Sequence, residues 1–260
     1  MSQELLVARD GAITTITLNR PEKFNAITFA MYRGIAEACE QAGRDGVTRA
    51  IILTGAGGKA FAAGTDIAQF RSFETPEDGI KYEAGIDKLL STIEACPIPT
   101  IAAIAGACTG GGAAIVSCCD MRIATRSLKY GYPIARTLGN CLSAASLQRL
   151  TALLGPQRVI DLLYTARLIE ADEALRIGLV SELVDDHAAV MARAVQLATQ
   201  IAGHAPLTLA ITKELLRRNR QASGAKVDDH DLVGKVYTSA DFREGLDSFL
   251  AKRPPQWTGR

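Results

Sequence analysis

The chain has 260 residues, 48% hydrophobic and 22% charged, with 29 Lys and Arg against 28 Asp and Glu for a net charge of +1. That composition excludes a disordered chain, and the balanced charge leaves no global field to draw it to nucleic acid or an anionic membrane. The length is near the limit for one hydrophobic core, and folding would remove about 70–75% of the unfolded surface from water, so disulfides are not needed. The six cysteines form no C-x-x-C pair and lie mostly in apolar runs, which fits reduced thiols in a cytoplasm. The first eleven residues lack the basic start and apolar stretch of a signal peptide, and the apolar run from 98 to 119 is broken by Pro99, Gly106 and a Gly triplet. No membrane span is expected.

In chain order, residues 5–9 and 12–18 read as a hairpin about Asp10-Gly11. Thr28 is placed to cap a helix with Met31, Ile35, Ala38, Cys39 and Ala42 at helical spacing. A buried strand is predicted over 50–53, then a Gly-rich stretch, a helix after Asp66, a loop over 74–78 and an amphipathic helix over 79–95 closed by Pro97 and Pro99. A second buried strand over 100–105 is again followed by glycines, then by a short helix over 113–119 and a strand over 121–124. From about 143 the chain turns mostly helical, over 143–154, 156–164, 170–177, 186–202 and 206–220, and a last helix over 241–252 carries Phe242, Leu246, Phe249 and Leu250 on one face, which has no obvious place in the preceding core. The repeated order of strand, Gly-rich turn and helix implies an α/β architecture with buried, mostly parallel strands.

The three histidines are scattered through the helical third, with no His-x-x-x-His pair and no nucleophile beside one. A metal site and a Ser-His-Asp triad are therefore not expected. Gly55 to Ala60 fails the Walker spacing, and no acidic strand end follows it as a dinucleotide fingerprint requires.

Two turns carry the chemistry. Phe61-Ala62-Ala63-Gly64-Thr65-Asp66-Ile67 and Gly106-Ala107-Cys108-Thr109-Gly110-Gly111-Gly112-Ala113 each follow a strand and precede a helix. Glycines permit positive φ and close backbone approach, and the first N–H groups of a helix lack internal partners. Two such turns side by side would aim two N–H groups at one oxygen, as in an oxyanion hole. Tight packing of helix starts on a sheet explains the same glycines.

These segments resemble the crotonase superfamily, the enoyl-CoA hydratase/isomerase family, over nearly the whole chain. The similarity runs through Ile16 to Pro21 with Asn25-Ala26, then Ala60 to Ile67, then Pro99 to Gly112 with Cys119-Asp120. It continues in Gln148-Arg149-Leu150, Glu173 to Val180 and Phe249 to Pro254. The resemblance implies a spiral of ββα units over residues 1–200 and a C-terminal helical region over 201–260. It implies homotrimers or dimers of trimers, and a coenzyme A thioester as substrate with no resident cofactor. By position, the oxyanion donors would be the main-chain N–H groups of Thr65 and Gly111. Lys23, Phe24 and Ala26 would line the pantetheine and nucleotide, Ala63, Asp66 and Ile67 would lie near the adenine, and Lys252 with Arg253 would reach the phosphates.

The departures bear on the reaction. Family hydratases carry a glutamate two residues after the Gly triplet and another after the Pro of a later loop; here Ala114 and Ile134 stand there. Neither can transfer a proton, so the two-glutamate addition of water is not expected. Arg136 would suit a substrate carboxylate, Asn140 a carbonyl or water, and Cys141 a proton-carrying role if its pKa were lowered; structural roles fit each as well. The resemblance implies an acyl-CoA enzyme of the hydratase/isomerase family that stabilises a thioester enolate in the oxyanion hole; the alternatives are a non-hydratase member (isomerase, decarboxylase or thioester hydrolase) or a non-catalytic CoA-ester-binding protein.

Overall fold

The computed structural model describes residues 4–222 and 228–259; residues 1–3, part of the stretch read as lacking a signal peptide, lie outside it. β1 (Leu5–Asp10) and β2 (Ile13–Leu18) form the expected hairpin, in register from Leu5 opposite Leu18 to Asp10 opposite Ile13. α1 (Phe29–Arg44) starts where Thr28 Oγ1 accepts the Met31 N–H, and its apolar stripe is buried. Next come β3 (Ala50–Gly55), β4 (Ala60–Ala62), a 3-10 helix (Ile67–Ser72) and α2 (Pro76–Ala95). Then follow β5 (Thr100–Ile104), β6 (Ala107–Thr109), α3 (Gly111–Cys118), β7 (Met121–Thr125), β8 (Lys129–Gly131) and α4 (Ile134–Thr137). The later part holds α5 (Ala144–Leu154), α6 (Pro156–Thr165), β9 (Ile169–Glu170), α7 (Ala171–Arg176), β10 (Glu182–Val184) and α8 (His187–Ala202). It ends in α9 (Pro206–Ala222), α10 (His230–Tyr237) and α11 (Ala240–Ala251).

The six-stranded sheet runs in the order β1-β2-β3-β5-β7-β10, all parallel beyond the hairpin, and the four-stranded sheet in the order β4-β6-β8-β9. The three middle turns, β3-β4-α2, β5-β6-α3 and β7-β8-α4, each add one long strand to the first sheet, one short strand to the second, and then a helix. This is the ββα spiral that the resemblance implied. The long strands are buried on both faces: Ile51 and Leu53 of β3 face the main core, while Ala50 and Ile52 face Val190, Ala194 and Ala198 of α8. Such strands read as continuous apolar runs, which made them legible.

Three expectations need correction. The 74–78 segment is the start of α2: Thr75 and Asp78 cap its first turn reciprocally and Pro76 takes the first helical position. The stretch after Asp66 is the 3-10 helix, N-capped by the Asp66 carboxylate. The apolar face of the last helix is not without a place in the core, because Phe242 and Leu246 pack with Phe70, Leu138, Val233 and Tyr237. Only Phe249 on that face is left about half exposed, at 49%.

One buried side chain ties the opening segment to the ends of two strands. Asn25, with no exposed surface, accepts the Arg20 N–H at 2.9 Å and donates to the carbonyls of Ala56 and Ala60 at 2.9 and 2.8 Å. Asn25→Ala strands these three backbone groups in the interior. It should lower the unfolding free energy by about 2–4 kcal/mol, since each unpaired buried group costs about 1–3. Urea unfolding of the two proteins measures this, and matching midpoints would show that water replaces the amide.

Candidate active site

The two Gly-rich turns lie side by side because β4 and β6 pair in parallel, Ala60 opposite Ala107 and Ala62 opposite Cys108. The strands deliver Gly64 and Gly110 to neighbouring places, with φ of +107° and +51° that disfavour any other residue. A Cβ on Gly110 would meet Gly64 Cα at 3.4 Å, an ordinary contact, so it is the dihedral angles rather than lack of space that call for glycine. A short parallel bridge fixes the first turn: Ile27 N–H donates to Gly64 O and Asp66 N–H to Ile27 O, both at 2.9 Å. Successive peptide groups in an extended segment point to opposite sides. Thr65 N–H therefore faces away from Ile27. Gly111 N–H belongs to the first turn of α3, where no intrahelical acceptor exists. Among the described residues, neither N–H has a protein acceptor.

Around the first turn, Arg20 is an internal clamp. Its guanidinium donates to Ala26 O at 2.6 Å and Asp66 Oδ2 at 2.9 Å, and pairs with Glu4 at 3.2 Å. Ala26 N–H donates to Lys23 O and Ala63 N–H to Phe24 O, both at 3.0 Å, and Arg20 joins Ala26 to Asp66, so Lys23, Phe24, Ala26, Ala63 and Asp66 belong to one bonded surface that Ile67 follows in sequence. Phe24 is exposed at 53%, with φ +50°. Lys252 ends α11 on an exposed left-handed residue, and among the described residues no hydrogen bond or ion pair joins it to that surface.

Ala114 is half-buried on α3 and Ile134 half-buried at the start of α4, each offering only carbon. Arg136 is exposed and makes no ion pair among the described residues. Asn140 donates to Tyr237 Oη at 3.2 Å, and its Oδ1 is buried without a partner. Burial, with Glu83 and Asp229 adding to it, pushes the Cys141 thiol up to about 12. It stays protonated at neutral pH, so the condition for a proton-carrying Cys141 is not met.

Hydroxyl groups from distant segments gather at the first turn. Thr65 Oγ1 lies 2.8 Å from Tyr32 Oη and 3.0 Å from Tyr82 Oη. Both tyrosines also line a cleft of about 570 Å³ between α1 and α2, with Phe29, Phe73, Ile86 and Leu89. The sequence reading missed this meeting, because Tyr32 follows the helical stripe of α1 with no local mark of function. At the surface, Asp228, Asp229 and His230 bring ligand atoms within 4.8 Å of one another, a grouping that histidine spacing alone did not suggest. No helix of the described residues is long and apolar enough to cross a membrane.

Glu83 of α2 is a buried carboxyl, 6% exposed, that accepts from Tyr237 Oη at 2.6 Å and Ser143 N–H at 3.2 Å. Burial raises its pKa to about 7, with Asp87 and Asp229 adding to the rise against those two bonds. A folded-state pKa above the unfolded value means the native state holds the extra proton. The associated stability is then complete below the usual carboxylate range and is lost as pH rises through about 7. Glu83→Gln should remove that slope, worth about 3 kcal/mol over the window. Denaturant midpoints from pH 4.5 to 8 test this, and parallel curves for the two proteins would place the Glu83 pKa near normal.

Comparison with known proteins agrees with this framework. The family model described as enoyl-CoA hydratase/isomerase matches residues 8–260. A short-chain-enoyl-CoA hydratase of Clostridium acetobutylicum is 32% identical over 251 residues, spanning 96% of this chain and 95% of the relative. Among solved structures, an enoyl-CoA hydratase/carnithine racemase from Magnetospirillum magneticum superposes with a TM-score of 0.79 at 36% identity, covering 100% of this chain and 97% of that one. A methylmalonyl-CoA decarboxylase in complex with 2-nitronate-propionyl-CoA reaches 0.89 at 28% identity, with both chains fully covered. With the same spiral throughout and matches running nearly end to end, the chain belongs to the enoyl-CoA hydratase/isomerase family.

Proposed function

We propose that this acyl-CoA enzyme holds the thioester oxygen between the N–H groups of Thr65 and Gly111 and stabilises the enolate formed there. The observation that carries this reading is the pair of N–H groups, unpartnered among the described residues, on turns that the parallel pairing of β4 with β6 sets side by side. Lone N–H groups aimed at a developing oxyanion favour it without reorganisation, and losing one such donor typically costs about 2.7–4 kcal/mol. The bonded surface of Lys23, Phe24, Ala26, Ala63, Asp66 and Ile67 is where the coenzyme would lie, with Lys252 toward its phosphates.

The chemistry differs from two-glutamate hydration because Ala114 and Ile134 supply no proton carrier. Isomerisation and thioester hydrolysis both need a positioned base or nucleophile. Decarboxylation needs less: the carboxylate leaves as CO2, the electron pair of the broken C–C bond enters the enolate, and water supplies the α-proton. The likeness to a methylmalonyl-CoA decarboxylase favours this second, narrower reading. Exposed Arg136 is available to meet the carboxylate before it leaves.

Assembly is proposed as a homotrimer or a dimer of trimers. α9 presents Leu207, Ile211 and Leu215 on one stripe at 77%, 55% and 54% exposure, and buries none of its residues within the chain. An apolar stripe of that length needs covering. Light scattering at micromolar protein should give three or six chain masses, and a monomer mass would contradict the proposal.

Hydration of crotonyl-CoA should be slow, by about 10²- to 10⁴-fold for each missing proton-transfer group. Decarboxylation of a malonyl-type thioester should proceed faster and be abolished by Gly111→Pro, which removes the N–H and distorts the turn. Loss of enoyl absorbance and release of CO2 are the two assays. Hydration on the order of 10² to 10³ per second would show that another residue replaces the glutamates. No turnover across a panel of acyl-CoAs, with binding intact, would favour a non-catalytic CoA-ester-binding protein.

A further inference from the structure

Tyr32 stands directly behind Gly111: a Cβ built there would fall 1.8 Å from Tyr32 Oη and 3.0 Å from Thr65 Oγ1. The phenol therefore lies against the residue whose N–H is one of the two proposed donors, and it is bonded to the side chain of the other. Tyr32 is 4% exposed, and its only hydrogen-bond partner among the described residues is Thr65 Oγ1.

Tyr32, Thr65 and Tyr82 carry three hydroxyl protons, and the two contacts between them use two, so one proton is left for a further acceptor. Both tyrosines border the α1–α2 cleft, and Tyr32 Oη is the phenol that lies against Gly111. With an anionic oxygen beside Gly111, Tyr82 donates to Thr65, Thr65 to Tyr32, and the spare proton of Tyr32 meets the oxygen. Burial raises both phenol pKa values, so both groups stay protonated and act as donors rather than bases.

We propose that Tyr32 O–H is a third hydrogen-bond donor to the thioester oxygen, positioned by the side chains of Thr65 and Tyr82. This rests on the oxyanion reading of Thr65 and Gly111 given above. It also gives the Thr65 hydroxyl a role that a main-chain donor alone would not need. Tyr32 is then a catalytic residue, whereas the Thr65 hydroxyl and Tyr82 are positioning residues.

The test reads the thioester carbonyl directly. Butyryl-CoA labelled with carbon-13 at C1 is bound to saturation, and its C=O stretch is compared with that of the free ligand by difference infrared spectroscopy. Wild type should show a lowered stretch. Tyr32→Phe, which keeps the ring, should recover part of the shift, and Thr65→Val and Tyr82→Phe should recover less. Release of CO2 from a malonyl-type thioester should fall about 10-fold in kcat for Tyr32→Phe with KM nearly constant, less than the 10²–10³ of a primary oxyanion donor. A lowered stretch that is identical in wild type and Tyr32→Phe would overturn the role of Tyr32 and leave the two N–H donors standing. An unshifted stretch in wild type would overturn the oxyanion reading itself. If Tyr32→Phe loses its circular dichroism signal, Thr65→Val decides, and a wild-type stretch there overturns the inference.

Discussion

Two main-chain N–H groups left over by their own secondary structure are the constraint on which the rest depends. A strand consumes its N–H groups in the ladder and a helix consumes all but those of its first turn. Only at a junction between the two are donors left without partners. The ββα spiral makes one such junction in each turn of the chain, and the pairing of β4 with β6 sets two of them side by side. The glycines at 64 and 110 follow from the turns themselves, whose positive φ values of +107° and +51° disfavour a side chain. The clamp of Arg20 on Ala26 and Asp66, and of Asn25 on Ala56 and Ala60, holds the first junction against the sheet.

Polar groups near this core divide by what they can do with a proton. Burial keeps the phenols of Tyr32 and Tyr82 and the Cys141 thiol protonated through the neutral range. Glu83 alone among these titrates near neutrality, and its oxygens are taken by Tyr237 and Ser143. A site rich in neutral donors and poor in bases suits stabilising a negative oxygen more than abstracting a proton. That balance, with carbon at Ala114 and Ile134, separates the proposed chemistry from the addition of water.

Much of the architecture was legible because buried parallel strands and amphipathic helices each carry a period. β3, β5, β7, α1 and α8 stand where those periods put them. β4, β6 and β8 were missed because three residues are too few to show alternation, although these strands carry the two turns. The start of α2 was hidden by Thr75-Pro76, which reads as a loop until its capping box is seen. The partners of Phe242 and Leu246 leave no mark in the local sequence, because Phe70, Leu138 and Val233 come from three distant segments. The meeting of Tyr32, Thr65 and Tyr82 was illegible for the same reason, since sequence separations of 33 and 17 residues leave no local pattern. The glycine turns were legible as a pair, but choosing between helix packing and an oxyanion site required seeing which N–H groups remain without acceptors.

A crystal structure of the protein with butyryl-CoA bound tests the central claim most directly. The account predicts the thioester oxygen at about 2.7–3.1 Å from both Thr65 N and Gly111 N, the range for effective oxyanion donors. A bound thioester whose oxygen lies beyond hydrogen-bond reach of either nitrogen, with both N–H groups bonded to water or protein, would contradict it.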